Sequence, residues 1–141
     1  MNSITFSALA TKLTDIAETA GSAFAQVGWI DDFDRERTLT LPAVFIQPTQ
    51  SVPTNATVTR SFEIYIFDEL LIDESNKVAK WSSTEAIGLA MIANLKNNFD
   101  NLEYEFTTGT LEAVTYQWEN MLHGWVFTFD IITPYEYNIC E

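Results

Sequence analysis

Apolar residues recur at helical spacing through residues 4–20. Phe6, Leu9, Ala10, Leu13, Ile16, Ala17 and Ala20 fall on one stripe, with Lys12, Asp15 and Glu18 off it. Ser3 or Thr5 suits the start of this helix and Gly21 its C′ position. The pattern then shifts to strands. Residues 23–30 carry Phe24, Val27 and Ile30, and Leu41–Gln47 is a second apolar run that Pro48 interrupts. Residues 49–56, with Pro53 and small polar side chains, read as a loop. Val58–Asp68 alternates most clearly, with Phe62, Ile64 and Ile66 on one face and Glu63, Tyr65 and Phe67 on the other. A second helix is expected over about 75–99, its inner stripe being Ile87, Ala90, Met91 and Leu95. It starts either at Ser75 or later, at the capping box Ser82-Ser83-Thr84-Glu85. Three strands follow near 102–107, 111–119 and 124–133, with Thr108-Gly109 and His123-Gly124 as turn signals between them. Trp125, Phe127, Phe129 and Ile131 form a period-two set in the last.

That order predicts an α+β fold: an antiparallel or mixed β-sheet of about five to six strands with two helices packed on one face. A chain of 141 residues predicts one domain over 1–141.

Composition narrows the chemistry. Seven basic residues against twenty acidic give a net charge of −13, which argues against a basic nucleic-acid-binding face. The single cysteine, Cys140, forbids an internal disulfide, and the single histidine, His123, forbids a multi-histidine metal site. His123 reads as a structural turn residue, and Cys140 as a buried or terminal thiol with no base to activate it. No cofactor or metal is called for. The N-terminal residues lack a basic segment followed by an apolar run, and no stretch is long enough to span a bilayer, so a cytoplasmic origin is expected. Asn55-Ala56-Thr57 fits a glycosylation triplet but reads as a loop coincidence.

Several clusters deserve weighing. Asp31, Asp32, Asp34 and Glu36 offer oxygen ligands, but Arg35 and Arg37 compete for the same carboxylates, so a solvated or subunit-contact loop is expected there. Glu103 and Glu105 share a strand face, and a paired-carboxylate hydrolase is the weakest reading of them. Residues 97–141 contain eight acids and no Lys or Arg, so the C-terminal strands present a negative surface. Leu70, Leu71 and Ile72 lie between acids just after a strand and would expose apolar area if they form a loop.

Phe62-Glu63-Ile64-Tyr65-Ile66-Phe67-Asp68, Asn76-Lys77-Val78, Trp81-Ser82-Ser83-Thr84, Gly124-Trp125, Pro134 and Asn138-Ile139-Cys140 resemble structural proteins of phages and prophages in Bacteroides-type hosts, including crAss-like phages. The order of helix, three strands, helix and strands is similar to that of the small tail terminator and neck proteins of tailed bacteriophages. The resemblance implies a non-enzymatic virion protein, assembled in the host cytoplasm as a cyclic homo-oligomer at the capsid–tail junction. Its neighbours would be portal, neck and tail proteins, with no membrane partner. A ring needs heterologous interfaces. The expected contact residues are Asp31, Asp32, Asp34, Arg35, Glu36, Arg37, Arg60, Leu70, Leu71 and Ile72, together with the 49–56 segment. Glu103, Glu105, Glu112 and Glu119 are expected to face a lumen through which DNA passes without specific binding, since carboxylates repel phosphates. A soluble adaptor acting as monomer or dimer is the alternative.

Overall fold

The computed structural model describes residues 5–29, 41–54, 56–69, 75–97, 105–117 and 121–134. The elements are α1 (Phe6–Thr19), β1 (Phe24–Val27), β2 (Ala43–Pro53), β3 (Thr57–Glu69), α2 (Lys77–Asn97), β4 (Glu105–Thr108), β5 (Glu112–Gln117) and β6 (Met121–Pro134). All six strands join one mixed sheet in the order β1-β2-β3-β6-β4, with β5 also on β6. The pair β1–β2 is parallel and every other pair is antiparallel.

Local chemistry sets the helix ends. Thr5 caps α1 by accepting the Ala8 N–H at 3.1 Å. At the other end Gly21 takes φ +119°, while the Ser22 N–H bonds the Ala17 carbonyl and the Gly21 N–H bonds that of Glu18. This is the Schellman arrangement, which a side chain at Gly21 would strain. Helix α2 starts early, so Val78 and Trp81 lie in its first turns and Ser82–Glu85 lies inside it.

Both helices cover the same sheet face. Leu9, Leu13 and Ala17 of α1 and Ile87, Met91 and Leu95 of α2 bury against Val44, Ile46, Phe62, Ile64, Ile66, Phe127, Phe129 and Ile131. Each large side chain removed from water there contributes about 1.5–3 kcal/mol before entropy is counted. Gly88 brings α2 close, since a Cβ there would lie 2.9 Å from the Ile66 side chain. The opposite sheet face divides in two. One half holds a second apolar cluster of Ala43, Phe45, Tyr65 and Phe67, with Phe24, Leu41, Val114 and Val126 against it. The other half is polar: the Ser61 hydroxyl donates to Asp130 at 2.6 Å, and the Tyr65 hydroxyl donates to Glu63 at 2.6 Å.

Three expectations need correction. First, residues 49–53 are not a loop but the end of β2, and Thr54 and Thr57 close a tight hairpin with their hydroxyls 2.7 Å apart. Beyond Ile46, which ends the pairing with β1, no described strand lies on the outer side of β2. Pro48 and Pro53 are therefore tolerated where a missing N–H breaks no outer ladder. Second, Thr108-Gly109 reverses nothing. Thr108 pairs with Phe129 and Glu112 with Val126, so residues 109–111 oppose only 127–128. That is a β-bulge in one edge, so β4 and β5 occupy a single position and the sheet is five positions wide. The Gly109 N–H bonds the Thr128 carbonyl at 2.7 Å within the bulge. Third, His123-Gly124 lies inside β6 and is no turn.

Gly124 stands opposite Phe67 in the β3–β6 ladder, and a Cβ there would overlap the Ile66 carbonyl oxygen. We expect Gly124→Ala to destabilise the fold by about 3 kcal/mol or more. Thermal denaturation followed by circular dichroism would then show a melting midpoint lower by about 10 °C or more.

Candidate functional site

Chemically versatile side chains gather where the first turns of α2 cross β3 and β6. Asp68 and His123 are directly opposed in the ladder, on the helix-bearing face. His123 is fully buried, Asp68 nearly so. The imidazole packs on the Trp81 indole with centroids 4.3 Å apart, and Trp125 lies 6.5 Å from Trp81. Lys80 reaches down from α2 to Asp68 Oδ2 at 3.1 Å, while Asp68 Oδ1 accepts the Glu69 N–H at 2.8 Å. The Trp125 Nε1–H donates to the Trp81 carbonyl at 2.9 Å, and the buried Thr84 hydroxyl donates to the Lys80 carbonyl at 2.6 Å. Lys77 sits 5.5 Å from the centre of the Trp81 ring, within cation–π range.

This group behaves as a clasp. The Lys80–Asp68 and Trp125–Trp81 bonds join α2 to the sheet, the Thr84 bond lies within the helix, and the Glu69–Asp68 bond lies within β3. The imidazole has no solvent access, so it cannot touch a substrate in this conformation. Among the described residues no three His, Cys, Asp or Glu side chains cluster as a metal site. No helix among them is long and apolar enough to cross a membrane.

The outer surface of α2 is unusual. Val78, Ala79, Ser82, Glu85, Ala86, Leu89, Ala93 and Lys96 are all exposed and fall on one stripe, with Val78 75% and Leu89 53% accessible. The outer stripe therefore mixes apolar side chains, Val78, Ala79, Ala86, Leu89 and Ala93, with Ser82, Glu85 and Lys96.

The expected contact residues fare unevenly. Asp31, Asp32, Asp34, Arg35, Glu36, Arg37, Leu70, Leu71 and Ile72 lie outside the described residues, as do Glu103 and Glu119. Glu105 stands in β4 opposite Ile132, and its side chain is likewise outside them. Glu112 is exposed on β5, aligned with Val126 on the face away from the helices. Arg60 lies in β3 between Ser51 and Ile131, partly buried, and burial pulls its pKa below the ordinary arginine value. The 49–54 segment is the exposed hairpin end of β2. Sequence reasoning did not single out the Asp68–Lys80–Trp81–His123 clasp or the α2 stripe. A usable signal was present: Val78 and Leu89 break the amphipathic pattern of α2.

No protein-family model matches the chain, and no curated protein matches it in sequence.

Removing Lys80 leaves a carboxylate that is largely buried with one remaining backbone donor. We expect Lys80→Met to cost about 1–3 kcal/mol in chemical denaturation, against less than about 0.5 kcal/mol for Lys96→Met on the exposed stripe. Trp125→Phe, which deletes the donor to the Trp81 carbonyl, is expected to cost about 1 kcal/mol by the same measurement.

Proposed function

We propose that this chain is a structural subunit of a phage neck or tail ring, a tail terminator or head–tail connector, that joins capsid to tail and leaves a channel for DNA. The observation that carries the reading is the exposed apolar stripe of α2 on a chain of net charge −13. Val78 and Leu89, with the alanines between them, offer apolar area that a neighbouring subunit would cover. The element order supports the same reading, since a helix, three strands, a helix and further strands is the order on which the resemblance to terminator and neck proteins rests.

In this reading the protein acts through its surfaces and turns over no substrate. The acid-rich residues 97–141 give it a further property. Part of that region, Glu112 included, lines the channel and repels the phosphates of passing DNA, so the duplex slides rather than adheres. The chain reaches the virion from the cytoplasm of the host bacterium.

Purified particles of the phage that encodes the chain provide the test. We expect the protein among the minor virion components by quantitative mass spectrometry, and as a closed ring between capsid and tail by electron microscopy. A chain made abundantly during infection yet missing from particles overturns the proposal.

A further inference from the structure

We propose that His123 makes the clasp an acid-sensitive latch: while neutral it holds the start of α2 on the sheet, and when it takes a proton the first turns of α2 come free. The inference goes beyond the ring reading and does not depend on it.

His123 is the only histidine of the chain and is fully buried. Within the clasp it is the one side chain of a type that ordinarily titrates near neutral pH, at about 6.5. The groups around it decide which form the closed clasp can hold. From β3 comes Asp68, its partner in the ladder. From α2 come the Trp81 ring, packed at 4.3 Å, and the same helical turn carries Lys77 and Lys80. In β5 its partner is Thr115, which carries no charge.

Among the described residues, Asp68 is the one carboxylate opposed to the imidazole, and both of its oxygens are engaged. Oδ2 holds Lys80 at 3.1 Å, and Oδ1 accepts the Glu69 N–H at 2.8 Å. The charges of Asp68 and Lys80 cancel. A protonated imidazole therefore adds an unbalanced positive charge where water does not reach. The Trp81 ring face attracts a cation, but less strongly than the water that a buried imidazolium gives up.

The proton can be accommodated in two ways. The imidazolium takes Asp68 from Lys80, which cuts the salt bridge between α2 and β3. Alternatively it turns out to water, which parts it from Trp81. Each way removes one of the three contacts that fasten the start of α2, leaving the Trp125–Trp81 hydrogen bond in place.

The direction follows from proton linkage. Above about pH 6.5 the imidazole is neutral whether the clasp is shut or open. Below it only the open form takes up the proton, so the open population rises about tenfold per pH unit and the closed clasp loses stability as pH falls. Ordinary carboxylates, with values of about 4, stay ionised to about pH 5.5, so this window belongs to the histidine.

The test uses the full chain between about pH 7.5 and 5.5. The single imidazole gives one Cε1–H resonance in nuclear magnetic resonance spectra. We expect that resonance to report a neutral ring in the closed form at about pH 6. Amide exchange protection at Trp81 and Thr84, corrected for the intrinsic rate, is expected to fall about tenfold per pH unit below about 6.5, with Leu95 near the end of α2 unmoved. His123→Phe, which keeps a ring against Trp81, is expected to abolish the pH dependence. Should that variant not fold, the wild-type measurements decide alone. Protection at Trp81 that stays constant across the window overturns the inference. So does an imidazole that titrates near 6.5 within the closed form, an equal fall at Leu95, which marks global unfolding, or a pH dependence that survives in folded His123→Phe.

Discussion

The ladder between β3 and β6 is the constraint on which the rest of the molecule depends. It runs in unbroken register from Thr57↔Pro134 to Glu69↔Leu122 and passes through Gly124, where there is room for backbone and nothing else. Because strand side chains alternate, this one register decides both faces at once. It aligns Phe62 with Phe129 and Ile64 with Phe127 under the helices, and it sets Tyr65 beside Val126 on the other side. A slip by one residue would exchange the two faces and turn Ser61, Glu63, Thr128 and Asp130 toward the helices in place of part of the core.

The same register opposes Asp68 to His123, and α2 then completes the group with Lys80, Trp81 and Thr84. An acid, an imidazole, an amine and two indoles together look like equipment for catalysis. Their contacts point to mechanical work instead, because Lys80–Asp68, Trp125–Trp81 and the Trp81–His123 packing anchor the start of α2 to the sheet. Burial of the carboxylate is offset by its salt bridge and backbone donor. The clasp also orients the helix, so the surface α2 presents outward follows from contacts made inward.

Much of this was legible in the chain. Regular alternation revealed β3 and β6, and the stripe of α1 with Gly21 behind it revealed that helix and its end, because those signals are local. The misreadings share one cause. Pro48 and Pro53, Thr108-Gly109 and His123-Gly124 are all signals for a chain reversal when taken alone. Each has a second meaning that depends on a distant strand: an edge with no partner, a bulge, and a close backbone approach. The clasp was invisible for the same reason, since Asp68 and His123 lie far apart in sequence and meet only through the ladder, on which α2 then sets Lys80. The stripe on α2 was local, yet Val78 and Leu89 look like core until the sheet shows which side is inward.

The prolines on the free part of β2 bear on how such a sheet behaves in a crowded cell. An edge with its full set of amide donors is a template that any extended peptide can copy, and copying repeats without limit. With donors missing at Pro48 and Pro53, that route to open-ended fibres is blunted along one border of the molecule. Contacts made along that border must then run through side chains rather than through a shared backbone ladder.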